Sequence, residues 1–333
     1  MRNLVYFSPV ASHPVGGIKV FYRHTEQING GLGGDRWRAQ VYHWTQPGFS
    51  CDWFGHRAAL KQDAGFDPRL HFAVLPECHL WDFWRQLSQH GVHYAIFVQN
   101  GYLIGGNPQL SHDDLLQAYR KASLIFTISD DTAECVRLVA PDCAHKIVPV
   151  RYPIPSALFH GGDEKETLIT YMPRKMPDHA RLLRLFLQRG LPTGWRLMPL
   201  DGIPEAEVAA ALRRSSVFLS FCGFEGLPMP PAEAALCGNH VVGYTGQGGL
   251  DYWHPDLFTE VPMGDIRGFA RAVLELVERL EARQRLGLPR LSEPAQLVVE
   301  SLRVRFSEER TGAGLARLLE RVDEVMDLAA LPR

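Results

Sequence analysis

Short apolar runs alternate with longer stretches of helical period along almost the whole of this 333-residue chain. Such alternation is the signature of βα units built on a parallel sheet. The spacing predicts strands at residues 3–7, 37–43, 71–75, 94–98, 124–128 and 146–150, enough for one open sheet. Between the last two, Ser129-Asp130-Asp131-Thr132 reads as an N-cap with acidic first-turn residues. A helix should therefore follow through Ala133, Val136 and Val139.

The pattern stops over residues 151–166, where Pro153, Pro155, Gly161 and Gly162 lead into Asp163-Glu164-Lys165-Glu166, a stretch suited to an exposed linker. A second βα series follows, with strands at 167–171, 195–199, 217–221 and 240–244 and helices at 178–188 and 205–213. Ile266, Phe269, Ala270, Val273, Leu274, Val277 and Leu280 then keep one apolar face at helical spacing. With 46% apolar residues there is material for two cores. The expectation is an α/β fold of two Rossmann-like open-sheet domains, residues 1–155 and 156–312, facing across a cleft where the carboxyl ends of the strands meet. Residues 313–333 form a C-terminal amphipathic helix, for which packing back on the first domain is one option.

Composition removes several function classes. Thirty-five basic residues stand against 37 acidic, a formal charge of −2, so nothing calls for nucleic acid as a partner. Six cysteines lie scattered without a C-x-x-C pair, which reads as reduced thiols in a cytoplasmic compartment. The apolar start Leu4-Val5-Tyr6-Phe7 is too short for a signal peptide, and the uncharged stretch 92–111 is broken by Gln99, Asn100, Gly101, Gly105 and Gly106, too polar to span a bilayer. Peripheral contact at the inner face of a membrane stays open. Asp113-Asp114 and Asp130-Asp131 are adjacent pairs at helix starts rather than a D-x-D motif, so no metal is expected. Gly30-Gly31-Leu32-Gly33-Gly34 lacks the third glycine of a G-x-G-x-x-G fingerprint and reads as a flexible loop.

The stretch that carries chemistry follows the strand at 217–221. It reads Cys222-Gly223-Phe224-Glu225-Gly226-Leu227-Pro228-Met229-Pro230-Pro231-Ala232-Glu233-Ala234-Ala235-Leu236-Cys237-Gly238. Proline is favoured in a first helical turn, so Pro230-Pro231 should open a helix ending near Gly238, with Glu225 in the loop before it and Glu233 early in the helix. Backbone N–H groups of such a loop can face an anion, while a carboxylate beside them accepts hydrogen bonds from sugar hydroxyls. That combination suits a sugar phosphate.

This stretch resembles the mark of the retaining GT-B glycosyltransferases, E-x7-E within E-G-[FY]-G-L-P-x-x-E-A-x-A-x-G. Glu225, Gly226, Glu233, Ala234, Ala235 and Gly238 match it, whereas the family's second glycine is Pro228 here and its Leu-Pro falls on Met229-Pro230. The resemblance implies Glu225 beside the donor sugar and Glu233 on the ribose of the nucleotide, with Gly226 and Leu227 in the donor loop. It implies that Arg174 and Lys175, after the strand at 167–171, stabilise the charge gathering on a departing nucleoside diphosphate. By the same comparison Gly16 and Gly17 approach donor phosphate or acceptor, and Asp201 borders the base. Gln99 and Asn100 stand where many members place an acceptor-side histidine, and His24 is a further acceptor-side candidate.

The resulting expectation is a metal-independent transferase with no cofactor beyond a nucleoside diphosphate sugar as co-substrate. It would pass a sugar, with retention, to a glycan or lipid-linked acceptor in surface polysaccharide synthesis. The alternatives are a non-catalytic nucleotide-sugar binding protein of the same fold, or a nucleotide-sugar epimerase or phosphorylase.

Overall fold

Strand β4 (Tyr94–Val98) is buried along its whole length, a burial that a strand sustains only when helices cover both faces of its sheet. The computed structural model describes residues 1–106 and 110–329. Residues 107–109 of the uncharged stretch and 330–333 of the C-terminal one lie outside the described residues. β1 (Arg2–Ser8), β2 (Trp37–His43), β3 (His71–Pro76), β4, β5 (Leu124–Thr127) and β6 (Ile147–Pro149) form a parallel sheet in the order β2-β1-β3-β4-β5-β6. Its helices are α1 (Gly16–Gln27), α2 (Trp84–Gln89), α3 (His112–Lys121) and α4 (Asp130–Val139). One core layer packs Val5, Phe7, Leu75, Ile96, Val98 and Ile125 against Leu115, Tyr119 and Val136. A full capping box starts α4, with the Ser129 hydroxyl accepting from the Thr132 N–H and the Thr132 hydroxyl accepting from the Ser129 N–H, both at 3.1 Å.

A second parallel sheet contains β7 (Leu168–Tyr171), β8 (Arg196–Pro199), β9 (Val217–Glu225), β10 (His240–Gln247) and β11 (Phe258–Glu260), in the order β11-β10-β9-β7-β8. Helices α5 (Pro177–Leu187) and α8 (Ile266–Arg285) supply Leu183, Leu187, Phe269 and Val273 to one core layer. The other layer gathers α6 (Glu205–Arg214), α7 (Met229–Leu236) and α9 (Glu293–Arg305) through Leu212, Ala235, Val299 and Leu302. The chain divides into two compact units, residues 153–307 and residues 1–152 together with the chain from Glu308. The last helix, α10 (Glu308–Ala329), therefore belongs with the first sheet. It is tied there by Asp323, whose Oδ1 accepts from Arg2 Nη1 at 3.0 Å and from Trp37 Nε1 at 2.9 Å.

Counted within its own unit, each sheet runs 2-1-3-4-5 from one side. The strand order reverses between β1 and β3 in the first unit and between β7 and β9 in the second. Ligands of open α/β sheets bind beyond the carboxyl ends of the strands at such switch points.

Two local expectations are corrected. The glycine-rich segment after α1 is an ordered π-turn, Ile28–Leu32. The Gly33 N–H closes it on the Ile28 carbonyl at 2.8 Å, and a Cβ on Gly33 would stand 2.3 Å from the Trp37 carbonyl, so close backbone packing rather than flexibility explains that glycine. Strand β9 also runs on to Glu225 because β10 continues beyond Tyr244 and pairs Gln247 with it. Among the described residues no helix is long and apolar enough to cross a membrane, and no three His, Cys, Asp or Glu side chains gather as a metal site requires.

Candidate functional site

Lys175 and Glu225 meet at the switch point of the second sheet. After β7 the chain makes a turn closed by the Met176 N–H on the Pro173 carbonyl at 3.1 Å, and Pro177 then opens α5. Arg174 and Lys175 are the two exposed middle residues of that turn. The Lys175 ammonium donates to Glu225 Oε1 across the gap between β7 and β9. Among the described residues no acid pairs with Arg174.

Glu225 is the last residue of β9, not a loop residue, and the backbone beside it holds it there. The β9–β10 register shifts between Thr245 and Gln247, with Gly246 at φ +65° and Gln247 at φ +71°. Gln247 is the only non-glycine residue at positive φ among the described residues. At Gly248 a Cβ would stand 2.1 Å from the Gly226 carbonyl oxygen, so only glycine lets this turn lie against Glu225–Gly226. The sequence reading passed over this turn. Its signal was Gly246-Gln247-Gly248-Gly249 at the end of a strand.

Helix α7 starts at Met229 with Pro228 as its N-cap, and its opening turn contains Pro230 and Pro231. Two of its first three residues therefore lack an N–H, which leaves this helix start with fewer backbone donors for an anion. The helix ends in a Schellman motif: Gly238, at φ +83°, donates to the Ala235 carbonyl at 2.8 Å and Asn239 to that of Ala234 at 3.0 Å. The buried Tyr252 hydroxyl donates to the Pro228 carbonyl. Its ionisation is pushed well above the usual range by burial, with the charges of Glu225 and Glu233 adding to it, so both glutamates lie within electrostatic reach of one phenol. Glu233 is partly exposed on α7, Gly226 is buried and Leu227 packs against the core beneath the helix. Asp201 stands apart, exposed in the turn after the edge strand β8 beside Gly202 at φ +65°.

In the first unit the structure brings Gly17, Gln99 and Asn100 together. Gly16 and Gly17 open α1. Gln99 Nε2 donates to the Gly17 carbonyl at 3.2 Å, and a Cβ on Gly17 would come within 2.9 Å of Gln99 Oε1. Asn100 uses its side-chain oxygen to cap Tyr102 N–H at 3.1 Å, while its own N–H donates to Glu77 Oε1 at 2.9 Å. Glu77, which sequence reasoning did not single out, directly follows β3 at the switch point of this sheet.

His24 is the correction here. It is fully buried, with its ring stacked on Phe97 at 12° between planes and Nε2 3.2 Å from the Arg151 carbonyl. Burial pulls its pKa down to about 4, so it is a neutral core side chain with no surface to offer an acceptor.

The sequence matches no protein-family model and no curated protein. Solved structures do resemble it. Sucrose-phosphate synthase from Thermosynechococcus elongatus is 12% identical with a TM-score of 0.72, over 98% of this chain and 100% of that one. HepE from Anabaena, solved with UDP-glucose, is 10% identical with a TM-score of 0.71, over 96% and 100%. The lipopolysaccharide outer core galactosyltransferase WaaB is 12% identical with a TM-score of 0.63, over 96% and 99%. These are GT-B glycosyltransferases, and the two-sheet α/β fold described above is theirs.

Proposed function

We propose that the protein is a retaining glycosyltransferase that moves a sugar from a nucleoside diphosphate sugar to a hydroxyl of a glycan or lipid-linked acceptor, without an essential metal. The observation that carries this reading is the Lys175–Glu225 pair at the β7/β9 switch point, one loop ahead of Glu233 on α7. Structures of the same fold solved with UDP-glucose, UDP or ADP support it.

On this reading the sugar C1–oxygen bond to the diphosphate breaks as a bond to the acceptor oxygen forms on the same face. The departing phosphate oxygen takes the acceptor's proton, so no side-chain base is required. Negative charge grows on that oxygen, and Arg174 and Lys175 are the groups placed to meet it. Lys175 starts out paired with Glu225, but its side chain is 50% exposed. Such a pair is worth at most about 1 kcal/mol. An incoming diphosphate can therefore draw the ammonium toward itself and leave Glu225 free to face the sugar. Glu233 holds the ribose, Gly226 and Leu227 line the donor loop, Asp201 borders the base, and Gly16, Gly17, Gln99 and Asn100 serve the acceptor side.

A thermal-shift panel of nucleoside diphosphates and their sugars, with and without magnesium, tests the donor assignment on wild type and Glu233→Ala. A ligand at ~100 times its dissociation constant stabilises the folded state by about 2.7 kcal/mol, a visible rise in midpoint. The expected result is a rise for one base, independent of magnesium and weakened by Glu233→Ala. No rise with any nucleotide at millimolar concentration would refute the proposal.

A further inference from the structure

Glu77 occupies in the first unit the place that Glu225 occupies in the second: each is a glutamate at the carboxyl end of its sheet's third strand, beside the switch point. Their surroundings differ. Glu225 is met by a lysine, whereas Glu77 is buried, and among the described residues no cation pairs with it. Its hydrogen-bonding partners are backbone N–H groups, that of Asn100 at 2.9 Å together with those of Gln99 and of Glu77 itself. A buried carboxylate without a cation is costly unless hydrogen bonds offset the loss of water. Why these backbone groups converge on a buried carboxylate calls for an explanation.

The geometry supplies one. The bond to Asn100 fixes the chain where β4 ends, immediately after Gln99, whose amide reaches Gly17 at the opening of α1. One carboxylate thus locks together the segments that follow β1, β3 and β4. We propose that Glu77 is a positioning residue of the acceptor side: it holds the Gln99–Asn100 turn over Gly17 so that the turn can receive an acceptor hydroxyl. Acceptor capture depends on it and donor binding does not. This inference rests on the glycosyltransferase reading given above.

The charge state of Glu77 makes the role testable. Burial raises its pKa to about 7, against which its backbone hydrogen bonds work. The other titratable groups around it are shifted by burial away from that range. Cys78 on the same turn is pushed up to about 12, Tyr119 of α3 lies well above its usual value, and burial lowers the pKa of His79. An ionised carboxylate is a stronger acceptor for the Asn100 N–H than a protonated one. The turn is therefore held more firmly at pH 8 than at pH 6.

The experiment uses the full chain, the donor identified in the nucleotide panel, and octyl β-glucoside and octyl β-galactoside as acceptor probes. It compares wild type, Glu77→Gln and Glu77→Ala at pH 6 and pH 8. Donor affinity and donor hydrolysis should stay within about twofold throughout. Acceptor KM should rise about tenfold in Glu77→Ala, and in wild type it should be higher at pH 6 than at pH 8. Glu77→Gln, neutral at every pH, should match wild type at pH 6 and show no pH dependence. A wild-type KM unchanged between pH 6 and 8, or a donor affinity that falls as far as acceptor affinity, would overturn the proposal. If Glu77→Ala does not fold, the Gln pH profile alone decides. Hydrogen exchange at the Asn100 amide gives a readout that needs no substrate. It should quicken about tenfold in Glu77→Ala, or between pH 8 and 6 in wild type beyond the change in Glu77→Gln, and equal protection in all three proteins sinks the anchor. A protein that binds no nucleotide sugar yet shows the exchange effect would mark failure of the functional reading rather than of the anchor.

Discussion

Acid should destabilise the first unit through His24, by an amount set by the ring's surroundings. The side chain is fully buried; Nε2 faces the Arg151 carbonyl at 3.2 Å and, among the described residues, Nδ1 has no hydrogen-bonding partner. Protonating Nδ1 places a charge and an unmet donor against Phe97 and Tyr6. Burial lowers the folded-state pKa to about 4 from an ordinary 6.5. Between those values the unfolded chain binds the extra proton and the folded one does not, so stability is lost as pH falls through that window. At about 1.4 kcal/mol per pH unit, the gap corresponds to about 3 kcal/mol, fully present above pH 6.5 and gone by pH 4. His24→Gln removes the titration while keeping an N–H for Arg151. Its own packing cost should make it less stable than wild type at pH 7.5, and the difference should close by about 3 kcal/mol at pH 4. Urea unfolding read by pulse-labelled hydrogen exchange in the β1 and β4 peptides separates this unit from the other, which matters because two units need not unfold together. A stability difference that is the same at both pH values would show that the ring is not held neutral by burial and refute the argument. Sugar transfer at pH 7.5 should survive His24→Gln within a few-fold.

Lys175→Met should lower turnover by ~10²–10³ while moving the thermal midpoint little, since the cation is needed where charge develops and its exposed pair adds little to folding; single-turnover kinetics with the identified donor reads the first and calorimetry the second. Gly248→Ala forces backbone apart at the Gly226 carbonyl, 2.1 Å from the new Cβ. It should cost about 1–3 kcal/mol and abolish the donor-induced thermal shift. Gly223→Ala is the control, because a Cβ there meets nothing within 4 Å.

How much of this was legible in the sequence follows from how local each signal is. All strands of both sheets but β11 could be placed from apolar runs alone, as β4 shows, with every residue from Tyr94 to Val98 apolar and buried. The ends of β9 and β10 could not, because Gly223, Gly246 and Gln247 carry no apolar signal and extend the sheet only by pairing with each other's neighbours. Strand β11, three residues long, gave too short a run to stand out. The ordered π-turn after α1 was misread because glycine serves both looseness and close approach, and only the Trp37 carbonyl pressed against Gly33 tells them apart. Amphipathic period showed that α10 needs a partner surface, but Asp323 meeting Arg2 and Trp37 is a contact across nearly the whole chain.

The same distinction separates Glu225 from Glu77. Glu225 announced itself because the other residues of its motif, Gly226 and Glu233, follow within eight residues. Glu77 stands alone after an apolar run, and its partner Asn100 comes 23 residues later, so no spacing rule points to it. Yet the topology gives both carboxylates one address, the end of the third strand at a switch point. What differs is the charge around them, and on the proposed reading that difference matches what each unit receives. A diphosphate brings negative charge, and the carboxylate that shares its site must be accompanied by cations such as Lys175 and Arg174. An acceptor hydroxyl brings none, so the carboxylate on its side can be buried against backbone N–H groups and used to fix a turn. Placing a lysine near Glu77 should then bring its pKa down from about 7 and flatten the pH dependence of acceptor binding, without improving the hold on the donor.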